Sequence, residues 1–460
     1  MTKTILVNIQ NSFSVRNFLR TDALKIINSR TDVRLVLLVK EEKVDYYKKE
    51  FPPERVFFDI MPEIENLFFE RFFKFVEVAS IHTHTVTMMQ ETEFYRDKTF
   101  FLKKIFLYFT KRCLWFFGQF KIWRRLLRKT YYAVPTNSFD SLFKKYNPDL
   151  VFCPSLLYAN NRLVKEARKN NIKTIGAVLS WDNFFSKSLL RVFPDKLIAY
   201  TDDIKKQAED YGDFPSDKIV VTGLPQYDRY FKKEGLKSRE EFISDIGGDP
   251  NKKLIVYGFS GKAGLHIDFG IVKILLENIK KGNIKEDVQV LLRPYPRYDF
   301  PQAKINKIKK EYDILIYPAM SHVGEGKENW EFDEKSLNFL SNTLAHADVV
   351  INMYSTFFIE GAIFDKPLIG IAFDGEKELP YSQSARRFFD WDHLKRVKLL
   401  NGIDLVHNEE ELVSSVNNCL DNPFLLKEER KNIVEVQSQF TDGNSGKRLA
   451  DCLLSMLNIK

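Results

Sequence analysis

Cysteine is scarce in this chain of 460 residues. Its four copies, Cys113, Cys153, Cys419 and Cys452, are scattered and form no CxxC pair. That excludes a disulfide-stapled secreted scaffold and points to a reducing cytosol. No apolar run approaches about 18 residues, so no membrane-spanning helix is expected. The opening "MTKTILVNIQN" reads as a first strand and not as a signal peptide. There is no internal repeat, no low-complexity tract, and no Ser/His/Asp or Cys/His arrangement. Acid is missing from one stretch altogether. Between Thr99 and Lys129 there is no Asp or Glu, while Lys103, Lys104, Lys111, Arg112, Lys121, Arg124, Arg125, Arg128 and Lys129 are basic. Phe, Leu, Trp and Tyr crowd the same stretch.

What is present is enough for two or three domains. Hydrophobic residues make up 44% of the chain, ample for large cores, and the net charge of +8 is too mild to name a partner. Strand and helix patterns alternate from end to end. "TILVNI", "VRLVLLV", "PDLVFCPS", "KTIGAVLS", "KLIAYT" and "KIVVTGLP" read as strands of a first half. "KKLIVYGFS", "VQVLLRPYP", "DILIYPA", "DVVINM" and "KPLIGIAF" read as strands of a second. "SVRNFLRTDALKIINS" has the spacing of one helix, and "TDDIKKQAEDYG" that of a helix capped by Thr201. Such alternation predicts an α/β chain of two doubly wound, Rossmann-like domains with a cleft between them. The expected boundaries are residues 1–230, a polar linker at 231–252, and 253–460, with a basic aromatic insertion at about 99–130.

In doubly wound sheets, ligands bind at the carboxyl ends of the strands. Functional residues are therefore sought just after strands. In "NMYSTFFIEGAIFDKP", Tyr354, Ser355 and Thr356 follow a strand and start a helix, with Glu360 one turn inside. A helix N-terminus suits phosphate, and the carboxylate suits ribose hydroxyls; a plain helix cap is the alternative. Arg293 emerges from "LLRPYP" with a bidentate fork for phosphate oxygens, or as a surface ion-pair partner. Ser260, Gly261 and Lys262 form a donor-rich turn after "VYGF" that lacks P-loop spacing. In the first half, Ser12 and Arg16 follow the first strand. Trp181, Asp182 and Asn183 follow a later one. Asp182 is a candidate general base if partly buried, or a helix cap. Asp228 and Arg229 are placed to pair locally. His82 and His84 would share one face of a strand, with Glu91 and Glu93 as further acids nearby, but no third ligand stands at a convincing spacing, so no metal is expected.

Together these motifs resemble the GT-B glycosyltransferases, nearest the CDP-glycerol glycerophosphotransferases of teichoic-acid synthesis and related surface-carbohydrate transferases. The residues that carry the resemblance are "TGLPQYD" (Gly223 to Asp228), "LRPYP" with Tyr295 where His is usual, "YSTFFIEGAIFDKP", and "DGNSGKR" (Asp442 to Arg448). They cover mostly the second half. UDP-N-acetylglucosamine 2-epimerases share the fold and some motifs. The resemblance implies that Arg293, Ser355 and Thr356 hold the donor diphosphate beside Tyr354. It also implies that Glu360 faces the ribose and that the Ser260 turn closes over the donor, with no metal or other cofactor. The acceptor side falls to Ser12, Arg16, Trp181 and Asn183. The glycerophosphotransferases place a His in an "HGT"-like loop as base. Here "LSWDN" stands at the comparable place, which makes Asp182 the substitute.

The basic aromatic stretch reads as one amphipathic helix, or as two broken at Gly118. Lys103, Lys104, Lys111, Lys121, Arg125 and Arg128, with Trp115 and Trp123, suit an anionic membrane surface; a helix packing its aromatics on the core is the alternative. No nucleic-acid module is apparent. The expectation is a cytoplasmic transferase, peripheral on the inner face of the membrane. It would move a sugar from a nucleotide-sugar donor to a surface glycan or lipid-linked acceptor. A glycerophosphotransferase, a nucleotide-sugar epimerase and a non-catalytic glycan- or lipid-binding protein are the other readings.

Overall fold

The computed structural model describes residues 2–51, 55–64, 67–97, 100–157, 159–261, 264–295, 301–318, 321–323 and 330–458. The chain divides into two compact units. One contains Met1–Asp228 and Ser438–Lys460, the other Arg229–His322 and Gly326–Gln437.

The first unit is built on seven parallel strands. These are β1 (Lys3–Asn8), β2 (Val33–Val39), β3 (Val56–Ile60), β4 (Leu150–Cys153), β5 (Lys173–Ala177), β6 (Lys196–Ala199) and β7 (Ile219–Val221). They lie in the order β3-β2-β1-β4-β5-β6-β7. The second unit repeats the plan with β8 (Lys253–Gly258), β9 (Val288–Arg293), β10 (Leu315–Ile316), β13 (Val349–Asn352), β14 (Leu368–Ile371) and β15 (Asp404–Val406). Their order is β10-β9-β8-β13-β14-β15. A small antiparallel pair, β11 (Ser321–His322) and β12 (Trp330–Glu331), stands apart. Both parallel sheets have Rossmann order, with the direction of winding reversing between β1 and β4 and between β8 and β13. Helices cover both faces, so central strands such as Ile5–Val7 and Val349–Ile351 are wholly buried and read as unbroken apolar runs.

Several expectations are corrected. The region 231–252 is no linker. It belongs to the second unit and carries the helix Arg239–Asp245, started by a reciprocal capping box between Ser238 and Glu241. The C-terminal residues are not part of the second unit. Helix Ser445–Met456 buries Leu449, Leu453 and Leu454 in the core of the first. It is clasped there by Asp228, whose carboxylate accepts the backbone N–H groups of Ser445 at 3.0 Å and Gly446 at 2.7 Å. Gly223 is the matching close approach: a Cβ on it would lie 2.3 Å from Ser445 Oγ, and its φ is +78°. Arg229 binds Glu334 and Asn338. The "SVRNFLRTDALKIINS" segment is two short helices, the second running Asp22–Asn28 under a Thr21 cap.

Among the described residues five helices lie between β3 and β4: Leu67–Ala79, His84–Arg96, Phe101–Gly118, Lys121–Ala133 and Asp140–Tyr146, the first four forming an insertion. The insertion is thus larger than the expected residues 99–130. His82 and His84 are not on a strand. His84 opens a helix, while the His82 ring stacks on Trp115 at 3.8 Å and its Nδ1 meets the Trp115 carbonyl. The basic stretch is two helices broken at Gly118, where a Cβ would sit 1.7 Å from the Ser80 carbonyl oxygen. Arg128 is corrected as a membrane residue. It is buried, donates to the carbonyls of Leu189, Leu190 and Gly212, and pairs with Asp213, which also binds Arg124. Trp115 and Trp123 also turn inward, donating to Thr83 O and Ser80 Oγ. Lys111 meets Glu93 at 2.6 Å. On the other side of the insertion, Glu77 is buried against Arg191 at 2.8 Å and accepts from Ser188 and Leu189, which fixes helix Leu67–Ala79 to the unit.

Candidate active site

The β8/β13 boundary is the topological switch point of the second unit, where doubly wound sheets take their ligands. Three adjacent strands end there in register. Gly258 pairs with Asn352 on one side and with Arg293 on the other. Gly258 has to lack a side chain, because a Cβ would lie 2.6 Å from Asn352 Nδ2 and 2.9 Å from the Phe357 ring. That opening lets the Asn352 amide donate to the Gly258 carbonyl at 2.7 Å.

Two polar atoms at this edge make no hydrogen bond among the described residues. Arg293 is 8% exposed, and its Nε makes no hydrogen bond. Its guanidinium lies over the rings of Phe357 and Tyr317, 4.7 and 5.4 Å from their centroids. Burial pushes the Tyr317 phenol up to about 12, so it faces the cation as a neutral group. Asn352 is 1% exposed, and its Oδ1 accepts nothing. A buried cation that forms no ion pair among the described residues is costly, and a ligand anion is the partner that relieves it. The unpaired amide oxygen offers an acceptor to a ligand hydroxyl beside it.

The other residues of the expected donor site take different places. Ser260 is buried, and both its N–H and its hydroxyl donate to Asp268 Oδ2, at 3.0 and 2.5 Å. The Tyr257 hydroxyl donates to the other oxygen at 3.0 Å. Ser260 therefore shapes the loop and does not hold phosphate through its hydroxyl proton. Burial raises Asp268 to about 7. The Gly261 carbonyl accepts from Gly264, while Lys262 lies outside the described residues. Tyr354 stacks on Phe388 at 3.8 Å, with Trp391 edge-on at 5.6 Å. Ser355 Oγ accepts the Phe357 N–H at 3.1 Å, and Thr356 makes no side-chain cap. Glu360 is buried in helix Phe357–Ile363, where the Tyr230 hydroxyl donates to it at 3.4 Å.

In the first unit, Asp182 is engaged. Its Oδ1 accepts from Ser180 Oγ at 2.5 Å and pairs with Lys187 Nζ at 2.7 Å. It makes no side-chain cap either. Its Oδ2 lies 3.4 Å from Ser186 Oγ. Asn183 is buried with its Oδ1 unpartnered among the described residues, and Trp181 is half-buried. Ser12 is buried, and Arg16 lies over Phe13 at 5.2 Å. Among the described residues, no three His, Cys, Asp or Glu side chains are grouped to hold a metal.

Sequence reasoning missed Asn352, Gly258 and Asp268 as functional or supporting residues. The signal for the first two was their place as last residues of central strands. Nothing local marked Asp268, which meets Ser260 only through the fold.

Two Rossmann-like sheets in one chain define the GT-B class. The chain belongs to the CDP-glycerol:poly(glycerophosphate) glycerophosphotransferase family, whose sequence profile matches residues 194–455, more than half of its length. A processive diacylglycerol beta-glucosyltransferase of Bacillus licheniformis is 26% identical over 222 residues, 48% of this chain and 53% of its own. The teichoic acid ribitol-phosphate polymerase TarK of Staphylococcus aureus is 23% identical over 263 residues, 56% of this chain and 45% of its own. The chain spans about half the length of the curated relatives it matches. Among solved structures, UDP-GlcNAc 2-epimerase from Methanocaldococcus jannaschii superposes with a TM-score of 0.56 over 99% of this chain and 100% of its own. At 14% identity this is a likeness of fold alone.

Proposed function

We propose that the protein is a glycosyltransferase that moves a sugar, or a sugar-like unit, from a nucleotide-activated donor to a surface glycan or lipid-linked acceptor. The observation that carries the reading is Arg293, buried at the switch point of the second unit with Nε unpartnered, beside the unpaired Asn352 oxygen. A nucleotide diphosphate supplies the anion that Arg293 lacks, and its hydroxyls supply donors for Asn352. In transfer, Arg293 stabilises the phosphate charge that develops as the bond to the sugar breaks, without a metal. The names of the relatives, a diacylglycerol glucosyltransferase and a teichoic acid polymerase, support a polymer or lipid acceptor.

A second reading, transfer of glycerophosphate from a CDP-activated donor, is favoured by the family match. Both readings need the same phosphate site and differ in the base they take. A thermal-shift screen with UDP, CDP, GDP and CMP on the wild type and Arg293→Ala tests them. Stabilisation by one nucleotide diphosphate, lost in the variant, is expected. CDP alone shifting the protein would favour the second reading, and no shift with any nucleotide would sink both.

A further inference from the structure

Asp268 is a fully buried acid in the first turn of helix Leu265–Lys280, behind the turn that ends β8. Three donors meet it. The Ser260 N–H and hydroxyl reach Oδ2 at 3.0 and 2.5 Å, and the Tyr257 hydroxyl reaches Oδ1 at 3.0 Å. Among the described residues, Ser260 and Tyr257 are the groups that bear on its ionisation, and no charged side chain does. Burial without a cation works against the charged form and raises the acid from an ordinary 3.8 to about 7. Both protonation states are therefore within reach near neutral pH.

The contact between Ser260 Oγ and Asp268 Oδ2 can run in two directions, and the charge of the acid selects one. An ionised carboxylate only accepts, so the serine hydroxyl must donate to it. A protonated carboxyl has a donor of its own. Its Oδ2–H turns to Ser260 Oγ, and the serine proton is released to another acceptor. The hydroxyl is thus withheld from a phosphate only while Asp268 is ionised. The place of Ser260 gives this choice a consequence. It lies two residues beyond Gly258, whose register partner on β9 is Arg293, and the Phe259 N–H donates to the Arg293 carbonyl at 2.9 Å. Gly264 leaves room beside the hydroxyl, since a Cβ there would lie 2.3 Å from Ser260 Oγ. Gly264 is also the N-cap residue of helix Leu265–Lys280 and gives it no side-chain cap. An ionised Asp268 and a ligand anion would repel each other at this helix end. A neutral Asp268 leaves the end to the ligand.

We infer that Asp268 is a positioning residue for the donor: protonated, it turns the Ser260 hydroxyl to a diphosphate oxygen beside Arg293, so that the anion binds together with a proton. The inference rests on the donor reading above and adds a proton-coupled contact to it. The proton comes from solvent and rests on Oδ2, and no bond to carbon or phosphorus forms or breaks. The sign follows. Affinity is greatest below about pH 7, where the free protein already holds the proton. It falls as pH rises through that value and levels off once the bound protein has lost the proton too.

The test is isothermal titration of the full chain from about pH 6 to about pH 9, in buffers of different ionisation enthalpy. The ligands are UDP-N-acetylglucosamine, UDP-glucose and CDP-glycerol. Their diphosphates are diesters and lack the second ionisation near about pH 6 of a phosphate monoester, so a proton taken up goes to the protein. Wild-type protein is expected to bind about ten-fold more weakly at the alkaline end. It should take up about half a proton in the middle of that fall. Asp268→Asn should bind equally at every pH and take up no proton. Ser260→Ala should bind about ten-fold more weakly than wild type below about pH 7 and lose the pH dependence. Tyr257→Phe removes a hydrogen bond that favours the charged acid, so its fall should move to higher pH, which a merely structural role would not produce. Wild-type affinity that is flat with pH overturns the inference, whatever the variants do. So does proton uptake that survives in Asp268→Asn, or a Ser260→Ala variant that binds like wild type. Melting temperatures check that each variant is folded. Binding that is flat with pH leaves the donor reading standing, whereas no binding of any of the three ligands sinks both.

Discussion

The guanidinium carbon of Arg293 stands 4.7 Å from the centroid of the Phe357 ring, the first residue of the helix that follows β13. The ring holds the cation at the strand ends without neutralising it, which leaves the charge for a ligand. Such a contact is worth up to about 2 kcal/mol when desolvated. Arg293→Lys keeps a charge but loses the planar fork and the stacking. Isothermal titration with the nucleotide that stabilises the wild type should show the lysine variant weaker by about ten-fold and Arg293→Ala weaker still. Equal affinities for the two variants would mean that the fork itself contributes nothing.

Gly258 permits the geometry on the other side of the switch point. A methyl group there meets Asn352 Nδ2 at 2.6 Å and the Phe357 ring at 2.9 Å, and both are buried. Gly258→Ala should cost about 1–3 kcal/mol in urea unfolding, as overpacked cores do. It should also weaken nucleotide binding, because the displaced groups are the Asn352 amide and the ring under Arg293. A variant as stable as wild type with unchanged binding would show that this edge is not tightly packed.

The strands were legible because each is a short, β-branched run closed by a turn, and their alternation with helices imposes parallel order. Arg293 was legible for the same reason: it is the last residue of such a run. What the sequence hides is direction. Phe101–Gly118 is amphipathic whichever side faces the protein, and periodicity alone cannot say that Lys104 and Lys111 turn inward while Phe106 and Phe109 turn out. It hides long-range partners too. Arg124 and Arg128 read as surface cations until Asp213, more than 80 positions away, is placed between them. Asp228 takes the N–H groups of Ser445 and Gly446, more than 200 positions away, which its local spacing does not show. Glu360 has the spacing of a ligand contact, and the spacing does not show its burial beside the Tyr230 hydroxyl.

Asp213 supplies the shared anion for two buried arginines at 2.6 and 2.9 Å. Asp213→Asn preserves shape and tolerates the positive φ of 52° found there. It leaves the guanidinium groups of Arg124 and Arg128 facing a neutral amide. Breaking a buried pair in this way costs about 3 kcal/mol, so urea unfolding should show a loss of that order. The effect should persist at high salt, because screening acts weakly on buried pairs. A loss that vanishes with salt would place the pair in solvent.

Asp268 sets a pH dependence whose sign follows from its surroundings. It is fully buried, and burial raises it from an ordinary 3.8 to about 7, against the opposing hydrogen bonds from Ser260 and Tyr257. Between about pH 4 and about pH 7 the folded protein keeps a proton that the unfolded chain has lost. Folding stability from this group is therefore greatest below that window and falls as pH rises through it, levelling off above. At about 1.4 kcal/mol per pKa unit the loss amounts to a few kcal/mol. Asp268→Asn cannot ionise, yet its amide oxygen still accepts from Ser260. The difference in melting temperature, variant minus wild type, should climb steadily from about pH 4 to about pH 7 and then stay flat. A difference that is constant with pH would mean that Asp268 titrates normally, and that the charge behind the Ser260 loop is not held away from water.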